Sequence, residues 1–188
     1  IAWLVVTGHK GHFPETCHVE LVNRVREIIP AGADVVVLGD GEFDGTALQA
    51  TWADAQWHYV CRTAKNTLLY EAGDEFHLAD LPLSPGERLG IPEVQFTQDR
   101  YGPVLAIGWW AKAHKEPLYL ITNFELIEEA CRFYKKRFHI ETFFSDQKSR
   151  GFGLHNSHLS QPERLSRLLM AACLAYIWIV YLGALAQR

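Results

Sequence analysis

The chain has 188 residues, 48% of them hydrophobic and 21% charged, with a formal net charge of −4. That mixture excludes an intrinsically disordered chain and is enough for one domain, or one and a half, with a sizeable buried core. The acidic balance argues against a strongly basic DNA-coating surface. It leaves room for a local phosphate-facing region, because carboxylates that hold metal count against the total.

Taken in chain order, the first half alternates between strand and helix patterns. Residues 2–6 read as a strand. Residues 15–29 read as a helix whose apolar stripe is Val19, Leu21, Val22, Val25, Ile28 and Ile29, ended by Pro30, Ala31 and Gly32. Residues 34–39 form a continuous Val/Leu run of the buried parallel type, and Asp40 follows at its C-terminal end, where open α/β sheets place their chemistry. Gly39 and Gly41 flank Asp40 and leave its carboxylate open, although a turn aspartate is the plain alternative. A second helix is expected over residues 43–55, with Asp44 as its N-cap, and a further strand over 57–61. His9, His12, Cys17 and His18 lie close in sequence, but their spacing matches no zinc pattern and suits loop and surface histidines.

Residues 65–117 change character. Pro82, Pro85, Pro92, Pro103 and Pro117 punctuate short apolar runs, which predicts a small antiparallel β insertion. Trp109 and Trp110 within it suit core packing better than stacking on DNA. Residues 118–123 read as a strand. Residues 124–149 contain no Pro or Gly and read as one helix, with Asn123 as its N-cap and Gly151 just past its end. At roughly 100° per residue, Tyr134, Arg137, Glu141 and Lys148 would share about 60° of arc on that helix. An acidic ligand between two cations on one edge suits a metal held beside a phosphate backbone, and a solvated charged stripe is the bland alternative. Arg132, Lys135, Lys136, Arg150, Arg164 and Arg167 add to a basic excess in the same third of the chain. His155 and His158 follow as loop residues. Residues 168–186 are 19 uncharged positions, long enough to cross a bilayer, yet rich in Ala and Gly that suit close packing in a core. Cys17, Cys61, Cys131 and Cys173 form no C-x-x-C pair and read as thiols of a reducing compartment. No signal-peptide pattern opens the sequence, which points to a cytoplasmic location.

Tyr-x2-Arg-x3-Glu-x6-Lys, met here by Tyr134, Arg137, Glu141 and Lys148, resembles the hallmark of the DDE transposases of the insertion-sequence-four type. The similarity extends to Lys148-Ser149-Arg150-Gly151-Phe152, to the run from Leu159 through Gln161-Pro162-Glu163-Arg164-Leu165, to the strand 118–123, and to residues 35–45 around Asp40. The resemblance implies an α/β fold: a ribonuclease-H-like mixed sheet flanked by helices, its first strands missing, with an inserted small antiparallel β element. Residues 1–64 would form the half of the core carrying the second aspartate, 65–117 the insertion, and 118–188 the Glu-bearing helix and an apolar core helix. It implies catalytic, metal-binding roles for Asp40 and Glu141 with Mg²⁺, or Mn²⁺ as a substitute, and DNA contacts from Tyr134, Arg137 and Lys148. DNA would be the partner, as transposon ends and target, with a homodimer in the full-length form and no membrane.

One departure is plain. The family uses three carboxylates, and the only acidic residues before Asp40 are Glu15, Glu20, Glu27 and Asp34, none of which ends a hydrophobic strand. The expectation is an N-terminally truncated catalytic domain that is inactive alone. A non-catalytic DNA- or partner-binding remnant, and a small protein anchored in a membrane by residues 168–186, are the other readings.

Overall fold

The structure, a computed structural model, describes residues 13–187. The strand expected at residues 2–6 and the histidines His9 and His12 lie outside the described residues. The chain divides into two compact units, one ending at Arg137 and the other starting at Phe138.

The first unit is built on a seven-stranded sheet. Its strands are β1 (Val36–Gly39), β2 (His58–Thr63), β3 (Leu68–Glu71), β4 (Asp74–His77), β5 (Arg88–Phe96), β6 (Tyr101–Trp109) and β7 (Leu118–Thr122), in the order β1-β2-β7-β6-β5-β3-β4. Only β1 and β2 pair in parallel; the other pairings among the described residues are antiparallel. The fold is therefore mixed α/β, as expected. The segment 65–117 is antiparallel β, and β6 pairs with β7 over five positions, so its strands continue the one sheet.

Helices α1 (Glu15–Ile28) and α2 (Thr46–Asp54) cover one face, and α3 (Ile127–Tyr134) covers the other. On the first face Leu48 and Trp52 of α2 pack with Tyr59, Cys61, Leu69, Phe96, Ala106 and Ile121, while Val19, Val22 and Val25 of α1 close over them. That is the stripe the sequence displays, except that Ile28 is 70% exposed. On the second face Ala130, Cys131 and Tyr134, spaced as one helical edge, lie on Val60, Leu105, Ile107 and Leu120. A Cβ at Gly90 would stand 2.6 Å from Ile127 Cδ1, so the glycine lets α3 approach β5.

Two caps differ from expectation. Helix α2 starts at Thr46 with Gly45 as N-cap and no capping side chain. Glu15 of α1 supplies the cap instead, its carboxylate accepting the Leu48 backbone N–H at 2.8 Å. Asp44 is thereby released from capping and accepts the Thr63 hydroxyl at 2.6 Å. Asn123 does not cap a helix either. Its side chain accepts Tyr59 N–H and donates to the Trp57 carbonyl, closing the start of β2. Helix α3 accordingly begins only at Ile127.

The expected single helix over 124–149 is instead α3, a 3₁₀ turn at Lys135–Arg137, α4 (Phe138–Ser145) and a π-helical turn at Asp146–Arg150. The Asp146 carbonyl collects both Gly151 N–H and Phe152 N–H, which closes the π turn at the glycine.

In the second unit α5 (Pro162–Ala186) follows, with Pro162 in its first turn. The family-like buried core helix is not what the described residues give. Ala172 and Cys173 are buried, whereas Leu174, Trp178, Ile179, Tyr181 and Leu182 are exposed. Of the small residues expected to pack closely, Ala172 is buried while Ala171, Gly183, Ala184 and Ala186 are exposed, and the larger apolar ones find no cover among the described residues. The helix is long and apolar enough to cross a membrane by length and composition.

Candidate active site

Asp40 sits one residue past the C-terminal end of β1, and its side chain is half exposed. The chain turns at once: Phe43 N–H bonds back to the Asp40 carbonyl at 3.0 Å. Gly39 is required for that turn to pack, since a Cβ there would lie 2.5 Å from Phe43 Cβ and 2.8 Å from Cys61 Sγ. The carboxylate that the sequence marks is thus held open at the strand end by two close side chains beneath it.

Arg137 reaches the same place. Its guanidinium lies 3.8 Å from Asp40 Oδ2, and its side chain is only 14% exposed. The 3₁₀ turn brings this about, because residues three apart eclipse in such a turn. Arg137 therefore stacks back over Tyr134, 5.8 Å from ring centre. Tyr134 itself is buried, and its hydroxyl has no hydrogen-bond partner among the described residues. Burial pushes the phenol up, and the Arg137 and Arg62 cations pull it back. A phenol packed this way supports its neighbours more than it presents itself to solvent.

Arg62 is a residue the sequence reading passed over. It is the last but one residue of β2, on the α3 face with Val60, and is exposed. With Gly41, Thr63, Lys65, Glu116 and Tyr119 it lines an open cleft of about 540 Å³ beside Asp40. Two cations and a half-exposed carboxylate at the C-terminal end of parallel strands can receive a phosphate. The available signal was a lone arginine directly after the apolar run 57–61.

On the other face, Asp44 is partly buried beneath the site. Desolvation pushes its carboxyl above the ordinary 3.8; the Thr63 hydrogen bond and its own backbone counter this, and Glu15 adds to the rise. A raised folded-state pKa means that the folded protein binds more protons than the unfolded chain above pH 3.8. Stability is then lost as pH rises through that window. Asp44→Asn keeps an acceptor for Thr63 and is expected to raise stability near neutrality and flatten the slope above pH 4, read by urea unfolding at a series of pH values. An unchanged slope would show that Asp44 titrates normally.

Glu141 and Lys148 belong to the second unit. Glu141 is exposed in the first turn of α4, where the helix dipole favours a carboxylate. Lys148 is exposed in the π turn, and its carbonyl is bonded by His155 Nδ1. Gln147 beside it is buried with both amide atoms lacking hydrogen-bond partners among the described residues. Of the five site residues read from sequence, the structure brings Asp40, Tyr134 and Arg137 together in the first unit.

Compared with known proteins, the chain matches the family described as "Transposase DDE domain" over residues 3–178. No curated protein matches it.

Proposed function

The chain belongs to the transposase DDE domain family, and we propose that it is the catalytic-domain portion of a transposase of the insertion-sequence-four type, built on a ribonuclease-H-like sheet. The observation that carries this reading is Asp40 at the β1 end with Arg137 3.8 Å away. The cationic cleft of Arg62 and Lys65 beside it adds support. Residues 1–64 and 118–188 are the core segments and 65–117 the insertion. DNA ends and target DNA are the substrates, and the full-length protein works as a homodimer. The four free cysteines suit a reducing cytoplasm.

Asp40 and Glu141 are the proposed ligands of Mg²⁺, with Mn²⁺ as substitute. Asp40 fits the role, since its half-exposed carboxylate offers a hard oxygen donor. When bound, the ion supplies Lewis-acid polarisation of a phosphate. Arg137 orients Asp40 through its guanidinium and contacts a backbone phosphate of the DNA. Arg62 and Lys65 hold the phosphate, and Lys148 takes a further backbone phosphate. Tyr134 sets the Arg137 guanidinium in place through its ring.

DNA binding tests this directly. Fluorescence anisotropy with a labelled duplex is expected to show affinity falling linearly with salt on logarithmic axes. Arg137→Ala is expected to weaken binding equally on all sequences and to reduce the slope by about one. A chain that binds no duplex at low salt would overturn the reading. The remnant reading shares this DNA binding but gives Asp40 no role in holding Mg²⁺.

A further inference from the structure

The strand registers set more than Asp40 at one end of the sheet. Gly39 pairs with Cys61, so Asp40 stands level with Arg62; Thr63 pairs with Tyr119, and Leu118 with Trp109, which pairs in turn with Arg88. The row holding Trp109 and Arg88 therefore projects two residues, about 7 Å, beyond the Asp40 row at the same end of the sheet. By alternation Arg62, Leu118, Trp109 and Arg88 all face the α3 side. Across the sheet, β5 is four strands from β1, a lateral distance of about 19 Å.

Trp109 is half-buried and carries two cations. The Arg88 guanidinium lies 5.0 Å from its ring centre and the Lys135 ammonium 5.7 Å. Lys135 comes from the same 3₁₀ turn that sends Arg137 to Asp40. Both cations also reach Cys131, whose thiol is pushed up by burial, lowered by Arg88 and Lys135, and raised by Glu128. Neither Arg88 nor Lys135 is in an ion pair among the described residues. The adjoining acid, Glu87, is turned away by the Ser84 backbone N–H that it accepts. Two like charges gathered on one ring, neither in an ion pair among the described residues, repel each other until an anion arrives.

We propose that Arg88 and Lys135, oriented by Trp109, form an outlying phosphate-binding site for the DNA backbone leaving Asp40. This rests on the reading above and adds residues that its motif does not contain. The span of about 19 Å is the axial length of roughly five or six base steps, so the outlying site grips the same duplex beyond the reacting phosphate. Trp109 is a positioning residue: its ring holds the two cations in one orientation and itself touches no DNA.

The full chain is titrated with a labelled duplex at several salt concentrations. The Arg88→Gln/Lys135→Gln variant is expected to reduce the salt slope by about two and to weaken binding about tenfold or more at fixed salt. Arg88→Lys, which keeps the charge, is expected to retain the slope. A slope unchanged in the double variant while Arg137→Ala still lowers it would overturn the outlying site and leave the main reading standing. A lower melting temperature with the wild-type slope would also overturn it, since the cations would then only support the C-terminus of α3. Absence of salt-dependent binding by the wild-type chain would defeat both.

Discussion

Trp52→Ala is expected to destabilise the protein by about 3–5 kcal/mol, close to the whole stability of a small domain. Trp52 is 1% exposed and joins α2 to the sheet, its ring 5.5 Å from that of Tyr59. Removing it empties a volume walled by Leu48 and the strand side chains, which the sheet cannot collapse to fill. The indole N–H has no hydrogen-bond partner among the described residues. An unpartnered buried donor costs about 1–3 kcal/mol, so Trp52→Phe relieves part of the loss and is expected to cost far less than Ala. Urea unfolding followed by the remaining tryptophans checks both. Equal midpoints for wild type and Trp52→Ala would mean that α2 does not anchor this face. Because Asp40 follows β1 and packs through Gly39 against Phe43 and Cys61, DNA binding is expected to fall with folding in the Ala variant.

What sequence revealed and what it hid divide along a physical line. Strand β1 and Asp40 were legible because a Val/Leu run closed by Gly-Asp-Gly is a local signal. Helix α1 was legible from its 3.6 periodicity. The cap that Glu15 gives α2 was not, since donor and acceptor lie 33 positions apart and no spacing announces such a pair. Nor was the late start of α3, for Asn123 reads as an N-cap until β2 claims its amide. The merging of 65–117 into the main sheet depends on β6 choosing β7, a long-range pairing that composition cannot specify.

The site shows the same division. Tyr134, Arg137, Glu141 and Lys148 were found by their spacing, yet an ideal helix misjudged their surroundings. Three successive cations, Lys135, Lys136 and Arg137, end α3, where they complement its dipole but repel one another, and the chain tightens into a 3₁₀ turn. That turn divides the cations between Trp109 and Asp40. Burial of Tyr134 was hidden too, because a phenol at a motif position reads as a hydrogen-bond donor until the core around it is known.

The chain alone is expected not to cut DNA. Four acidic residues precede Asp40, and each has another place: Glu15 caps α2, Glu20 pairs with Arg24, Glu27 is exposed on α1, and Asp34 lies before β1, at the end away from Asp40. The metal pair of the proposed chemistry would then rest on Asp40 and Glu141 alone. Losing about 4 kcal/mol of metal-derived charge stabilisation corresponds to about a thousandfold in rate. Two carboxylates also hold Mg²⁺ more weakly and less rigidly than three. The check is supercoiled plasmid incubated with the purified chain and Mg²⁺ or Mn²⁺, with DNA binding measured on the same preparation. The expected result is bound plasmid that stays supercoiled. Nicking that vanishes in Glu141→Ala would sink the expectation and would mean that one of those four carboxylates, or another acidic group, completes the site.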